Sequence, residues 1–270
     1  QALTAYVKRR VANSTSDNMD AQKFKWNCKV ITDYFGDDTY LDDITAAKIN
    51  LFADHMGNQE WANSTINYMS TILYNAMNDA FERDQMTTKP ARMKHLSQEN
   101  GRIRFLTKDE EHSAIQWLQL SGHTDYSDLF LFYIETGMRK SELLKVTKSD
   151  ITKQGVYCSD RKGNSQTIIP LTSRARKILE IYARTSTDTC IMSGYYNKNV
   201  WGRMQTHLNL PDVSLHVLRH TCCSRLVQGG MPLVHVKGWM GHKAISTTMR
   251  YAHLSPTDLI QGVSLLENRA

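Results

Sequence analysis

The sequence predicts a mainly α chain with a small antiparallel β-sheet, arranged as a helical N-terminal domain followed by a mixed α+β domain. Three observations carry this expectation. Apolar residues recur at helical spacing through the first ninety positions, without strand-like alternation. A basic stretch with little periodicity, holding a Pro and a Gly, then interrupts the pattern. Beyond it, short β-branched runs between turn-forming residues break up an otherwise helical second half.

Taken in order, QKFKWNCKVITDYFG and DDITAAKINLFADHMG read as amphipathic helices with glycines at or just beyond their ends. In ANSTINYMSTILYNAMNDAFERD, the residues Ile66, Met69, Ile72, Leu73, Met77 and Ala80 follow i, i+3, i+4 spacing after a polar Asn63-Ser64 start. Residues 1–88 are therefore expected to form a small bundle of about four helices. Thr87 to Leu106 contains five Lys and Arg residues, and residues 89–105 read as a basic interdomain linker. The second domain, 106–270, opens with Thr107 and Glu110 placed as a capping box for DEEHSAIQWLQLSG. DLFLFYIETG reads as a buried helix ending at Gly137. VTKSDI, GVYCSD and SQTIIPL, separated by KQG and RKGN, read as a three-stranded antiparallel sheet. From Ser173 onward the pattern is helical to the end.

The chain has 270 residues, enough for one large or two ordinary domains. No apolar run reaches the roughly 18–20 residues that span a bilayer, and QALTAYVKRR is no secretory signal. The chain starts on Gln1 rather than Met, as a fragment or processed product would. Five cysteines without a CxxC pair suit reduced thiols and a cytoplasmic setting. Charge is unevenly shared. Residues 1–90 carry 9 basic and 12 acidic side chains, and residues 91–270 carry 24 and 15. A basic second half suits a polyanionic partner such as nucleic acid, although solvated basic faces are common.

Four clusters in the second half carry chemistry. In TGMRKSELL, Arg139 follows a helix-ending Gly, with Glu142 one turn on, a spacing that also suits a plain surface ion pair. DRKGNSQ places Lys162 at a hairpin tip, where most lysines are simply solvated. In LHVLRHTCCSRL, His216, Arg219 and His220 share one helical face beside Val217, Leu218 and Leu226, where burial without an anion is costly. In KGWMGHKAISTTMRYAHL, His242 precedes Tyr251 by nine residues, with Arg250 and His253 flanking the tyrosine. His216-x3-His220 lacks the Glu of a zincin helix, and phosphate loops, paired carboxylates and a Gly-x-Ser-x-Gly elbow are missing, so no metal ligands and no cofactor are expected. What remains is two arginines, a lysine, several histidines and a tyrosine. That inventory suits phosphoryl transfer at a phosphodiester, where cations clamp charge on the non-bridging oxygens. Arginine's planar fork grips two such oxygens. A tyrosine of pKa about 10 attacks once cationic neighbours lower that value.

TGMRKSELL, HVLRHT and GWMGHKAISTTMRYAH together, in this order, resemble the motifs of the tyrosine recombinases, or phage-type integrases, with Met240 where that family usually has Leu. The resemblance implies a helical core-binding domain and a catalytic domain closing around duplex DNA. It implies that Arg139 and Arg219 clamp the scissile phosphate, while His216 and His242 hydrogen-bond it and manage the nucleophile's proton. Lys162 would protonate the leaving 5′ oxygen, with Arg161 adjoining it, and Tyr251 would attack to give a 3′-phosphotyrosyl link. Glu142 and His220 would support these residues rather than touch DNA. Four protomers would act on two double-stranded recombination sites through a Holliday junction, with accessory DNA-bending proteins as further partners and no membrane. The chain has no room for the extra N-terminal arm-binding domain of some integrases, which is either absent or removed. Two alternatives share much of this reading: a type IB topoisomerase, which relaxes DNA without forming recombinant junctions, and a DNA-binding relative with a silent catalytic motif. A His-rich metal hydrolase is a third, and activity in chelator would exclude it.

Overall fold

The computed structural model describes residues 5, 6, 9, 19–90, 95–97, 103–158, 167–186, 190, 191 and 198–256. The chain divides into two compact units, Gln1–Gly101 and Arg102–Ala270.

The described part of the first unit holds three helices, α1 (Met19–Phe35), α2 (Ala46–Asn58) and α3 (Asn63–Phe81), with a 3-10 turn at Leu41–Asp43. Ala5, Tyr6 and Arg9 are helical as well, and the rest of the segment before Met19 lies outside the described residues. Thr45 caps α2 by accepting from the Lys48 amide. Gly57 lies inside α2 rather than ending it. Asn63 does not cap α3, whose N-cap is Ala62. Its side chain instead donates to the Ser97 carbonyl at 2.7 Å. Asn67, one turn on, both donates to the Leu96 carbonyl at 2.9 Å and accepts from the Leu96 amide at 2.8 Å. Residues 95–97 of the stretch read as a tether are thus strapped to α3, and Leu96 packs on the apolar cluster around Phe52, Ile66, Met69 and Leu73.

The second unit runs α4 (Lys108–Leu120), α5 (Thr124–Thr136), α6 (Lys140–Leu143), β1 (Val156–Cys158), β2 (Thr167–Ile169), α7 (Ser173–Thr185), α8 (Lys198–Leu208), α9 (Leu215–Gln228), α10 (Leu233–Met240) and α11 (Ile245–Met249). A 3-10 turn, Ala252–Leu254, follows α11. The expected capping box is present: Glu110 accepts from the Thr107 amide at 2.9 Å, and Thr107 accepts from the Glu110 amide at 3.1 Å. Arg104 forks onto the Glu110 carboxylate and also reaches Asp212, so its guanidinium is engaged within this unit.

α5 is the centre of the unit. Phe130, Phe132, Tyr133 and Leu129 are buried along it, and α4, α7 and α9 pack around it. Each fully buried large side chain contributes about 1.5–3 kcal/mol, which explains why a helix this apolar tolerates so little exposure. α9 in turn packs on α10, and α10 on α11.

The sheet differs from expectation. Among the described residues it has two strands, β1 and β2, antiparallel with Val156 opposite Ile169. VTKSDI supplies a 3-10 turn, Lys148–Asp150, flanked by isolated bridges from Thr147 to Cys190 and from Ile151 to Val156 rather than a strand. The reason is local: the Asp150 carboxylate accepts from the Thr147 amide at 2.8 Å and its hydroxyl at 2.7 Å, winding the segment into a capped turn. At Gly155 a Cβ would lie 2.0 Å from the Ile169 carbonyl oxygen, so the chain can approach β2 only without a side chain there. No helix of the described residues is long and apolar enough to cross a membrane.

Candidate active site

Two helices end by the same device. Gly137 after α5 and Gly241 after α10 both adopt the left-handed conformation, with φ of 63° and 62°. Such an ending turns the last carbonyls outward, where the helix dipole makes them a site for cations. Two arginines occupy it. Arg219, on α9 and 6% exposed, donates from Nη1 to the Gly137 carbonyl and from Nη2 to the Met240 carbonyl. Arg139, which opens α6, donates from Nη2 to the Gly241 carbonyl at 2.9 Å.

Arg139 is held from below as well. Its Nη1 meets Glu142 Oε1 at 2.6 Å, and Glu142 Oε2 accepts from the Arg139 amide at 2.8 Å. One buried carboxylate therefore fixes the backbone and the guanidinium of the same residue. A carboxylate at i+3 from an arginine is a common surface pair; here its side chain is 3% exposed, and that burial makes it a positioning group.

The histidines divide by depth. His216 is exposed in the first turn of α9, whose N-cap Ser214 accepts from the Val217 amide. His242 follows the turn at Gly241, and its Nδ1 lies 2.9 Å from the hydroxyl of Thr248, a fully buried residue on α11. It precedes α11, whose N-cap is Ala244. His220 is half-buried one turn beyond His216, with the two rings 6.3 Å apart and steeply inclined.

Tyr251 lies just past α11 rather than on it, at the start of the closing 3-10 turn. It is 3% exposed, within an apolar cluster of Cys222, Cys223, Val227, Val236 and Met240. Its phenol is hydrogen-bonded to Nδ1 of His220. The expectation that cationic neighbours lower the tyrosine's pKa is not met in this state. Burial pushes the phenol above its ordinary value, the Cys223 thiol beside it pushes the same way, and the opposing pull of Arg219 and Arg250 is outweighed. Burial, followed by the charges of His216, Arg250 and Arg219, lowers His220 to about 4, so its imidazole is neutral near pH 7. The contact between His220 and the phenol is what sequence reasoning missed. Its one sequence signal was the shared helical face of His216, Arg219 and His220.

Lys162 falls between β1 and β2 in the chain and lies outside the described residues, as does Arg161. The other five expected residues, Arg139, His216, Arg219, His242 and Tyr251, all belong to the second unit. Direct bonds tie Arg139 and Arg219 to the turn at 240–241, and His242 follows that turn at once. The five cysteines are free thiols. Among the described residues no cluster of His, Cys, Asp and Glu is arranged to hold a metal ion.

Comparison with known proteins matches residues 104–258 to the phage integrase family and residues 2–96 to the phage integrase SAM-like domain. The chain is 27% identical over 176 residues to the integrase of Escherichia phage 186, covering 64% of this chain and 51% of that protein. It is 29% identical over 145 residues to the tyrosine recombinase XerC of Bifidobacterium longum strain DJO10A, covering 44% of this chain and 41% of that one. The chain thus spans about half the length of the curated relatives it matches. In fold it is similar to the Tn1549 transposon integrase in complex with transposon right end DNA, with a TM-score of 0.79 at 16% identity over 99% of this chain and 98% of that one. It is also similar to a lambda integrase from a tetramer bound to a Holliday junction, with a TM-score of 0.72 at 18% identity over 93% and 76%. The matched family segment contains both glycine-ended helices, both arginines and the buried tyrosine, and the chain belongs to the phage integrase family.

Proposed function

We propose that this protein is a site-specific DNA recombinase that cleaves and rejoins duplex DNA through a 3′-phosphotyrosyl intermediate. The observation that carries the reading is the pair of arginines from α6 and α9 anchored side by side on the turn that leads into His242. Guanidinium groups held this way keep their planar forks in fixed directions, and a phosphodiester accepts such donors in pairs. Arg139 and Arg219 clamp the scissile phosphate, His216 and His242 hydrogen-bond it, and Tyr251 attacks. Lys162 protonates the leaving 5′ oxygen. Glu142 supports Arg139 and does not reach DNA.

Residues 1–88 serve as the core-binding domain, 89–105 as the basic connection and 106–270 as the catalytic domain. Four protomers act on two sites and exchange strands through a Holliday junction, in the cytoplasm. The structural relatives bound to transposon ends and to a Holliday junction support this assembly by analogy of fold. Accessory bending proteins complete the proposed partners.

The test needs no known target sequence. A pool of nicked duplexes of random sequence is incubated with the protein, and SDS traps covalent adducts. Recovery of captured DNA with a shared sequence supports the reading, as does later joining of two captured duplexes. Wild-type protein that traps no DNA overturns it, and relaxation of supercoils without recombinant junctions marks a topoisomerase instead.

A further inference from the structure

We propose that His220 is the catalytic base that receives the phenolic proton of Tyr251 as the tyrosine attacks. The inference rests on the recombinase reading and moves the management of that proton away from His216 and His242. Among the described residues, His220 is the imidazole in hydrogen-bond contact with the reacting oxygen. His242 has its Nδ1 against Thr248, and His216 stands on the solvent side of the His220 ring.

The step balances without a further reagent. The O–H proton of Tyr251 passes to Nδ1 of His220, and the freed phenolic electron pair forms the bond to phosphorus. The bond from phosphorus to the 5′ oxygen breaks, and that oxygen takes its electron pair and a proton from a separate acid. Rejoining reverses each transfer, with His220 returning its proton to the departing phenol.

The resting structure holds this reaction off. His216 and Arg219 from α9 and Arg250 from the end of α11 surround the imidazole with positive charge, while burial and Cys223 keep the phenol protonated. A phosphodiester bound between the arginines brings negative charge to the same place. Opposite charge nearby favours the imidazolium, and the phenolate charge is shared with phosphorus as the bond forms. Substrate binding itself thus brings His220 toward the proton affinity a general base needs near neutral pH. The aromatic line from exposed His216 through His220 to buried Tyr251, with ring centres 6.3 and 6.0 Å apart, runs from solvent to the nucleophile.

The experiment compares the full chain with His220→Gln, which retains a hydrogen-bond acceptor for the phenol but takes up no proton. Both are tested on the nicked random-sequence pool, each with natural Tyr251 and with a ring-fluorinated, more acidic tyrosine at 251. His220→Gln should form adduct about 10²–10⁴-fold more slowly, the range for a lost general base, and the fluorinated tyrosine should recover much of that loss. Near-normal rates in His220→Gln, or a deficit that fluorination leaves unchanged, overturn the inference. A second measurement does not depend on how the variant folds. The imidazole nitrogen resonances of His220 in the wild type should titrate at a higher pH with the DNA pool bound than without it, and a midpoint that does not rise also overturns the inference. Failure of wild type to form any adduct, or adduct from Tyr251→Phe, sinks the recombinase reading itself and is seen without any change at His220.

Discussion

Arg139 and Arg219 stand 80 positions apart in the chain and donate to consecutive carbonyls, those of Gly241 and Met240. Arg219 also spans to the Gly137 carbonyl, so one guanidinium ties the end of α5 to the end of α10. The two left-handed glycine turns therefore act as a frame that sets the direction of both cations. Arginine suits this frame because its planar fork can serve carbonyls with some N–H groups and leave others for a phosphate.

Replacing either arginine with lysine should be far from conservative. An ammonium is a point charge on a flexible stem and cannot bridge two carbonyls while facing a phosphate. Arg139→Lys and Arg219→Lys should each reduce adduct formation by on the order of 10²-fold or more. Arg219→Lys should also lower the denaturation midpoint, since a buried carbonyl then loses its donor. Near-normal adduct rates in both variants would assign these arginines to the fold alone.

Tyr251→Phe removes one oxygen from a well-packed ring. DNA binding should persist while adduct formation and strand exchange are abolished. Stability should fall by about 1 kcal/mol, the typical net contribution of one hydrogen bond, because Nδ1 of His220 loses its donor. Gel shift, SDS trapping and urea denaturation report the three effects separately. Retained adduct formation would place the nucleophile elsewhere.

The depressed His220 makes stability depend on acid. Above pH 6.5, its ordinary value, neither the folded nor the unfolded chain protonates this imidazole. Between pH 6.5 and about 4 the unfolded chain binds the proton and the folded chain does not, so stability falls as pH falls. Below about 4 both states bind it and the loss is complete. The melting temperature of wild type should therefore drop more steeply than that of His220→Gln across this window. Parallel curves would mean that the imidazole is protonated in the fold without penalty.

Much of this site could be read from residue types and spacing, and the reasons for the exceptions are physical. The Thr107–Glu110 capping box and the Gly137 stop are written in four or five adjacent residues, and both formed as expected. VTKSDI was misread because its β-branched residues suggest a strand, whereas the decisive signal was Thr147 with a carboxylate three residues on. The helix begins at the polar Asn63-Ser64 start as read, but that the Asn63 side chain serves a carbonyl 34 positions away is written in no local pattern. His220 and Tyr251 meet across 31 positions through the packing of α9 against the final turn. Helical spacing put His220 on the correct face, but no local pattern encodes what covers that face.

Gly137→Ala tests the frame itself. The left-handed φ costs an L-residue roughly 1–2 kcal/mol, and the new Cβ would lie 3.0 Å from Cys222 Sγ and from Sδ and Cε of Met240. Chemical denaturation should show a loss on the order of 1–3 kcal/mol once this crowding is included. Because the Gly137 carbonyl anchors Arg219, adduct formation should fall in the same variant under conditions where it remains folded. An Ala variant as stable as wild type would show that α5 can end without the left-handed turn.

The role proposed for Lys162 is tested by the leaving group. If its ammonium protonates the departing 5′ oxygen, its removal should penalise a poor leaving group and spare a good one. A bridging 5′-phosphorothiolate supplies the good one, since a thiolate departs without needing a proton. Lys162→Ala should cleave ordinary DNA about 10²–10⁴-fold more slowly, as for other lost general acids, yet cleave the sulfur substrate almost as wild type does. His220→Gln should instead be slowed on both substrates, because its deficit lies in the nucleophile's proton and a better leaving group leaves that need in place. A lysine that only grips the DNA backbone would lose equally on both substrates, and its removal would also weaken the salt dependence of binding. Equal losses would remove Lys162 from the catalytic set and turn attention to Arg161 beside it.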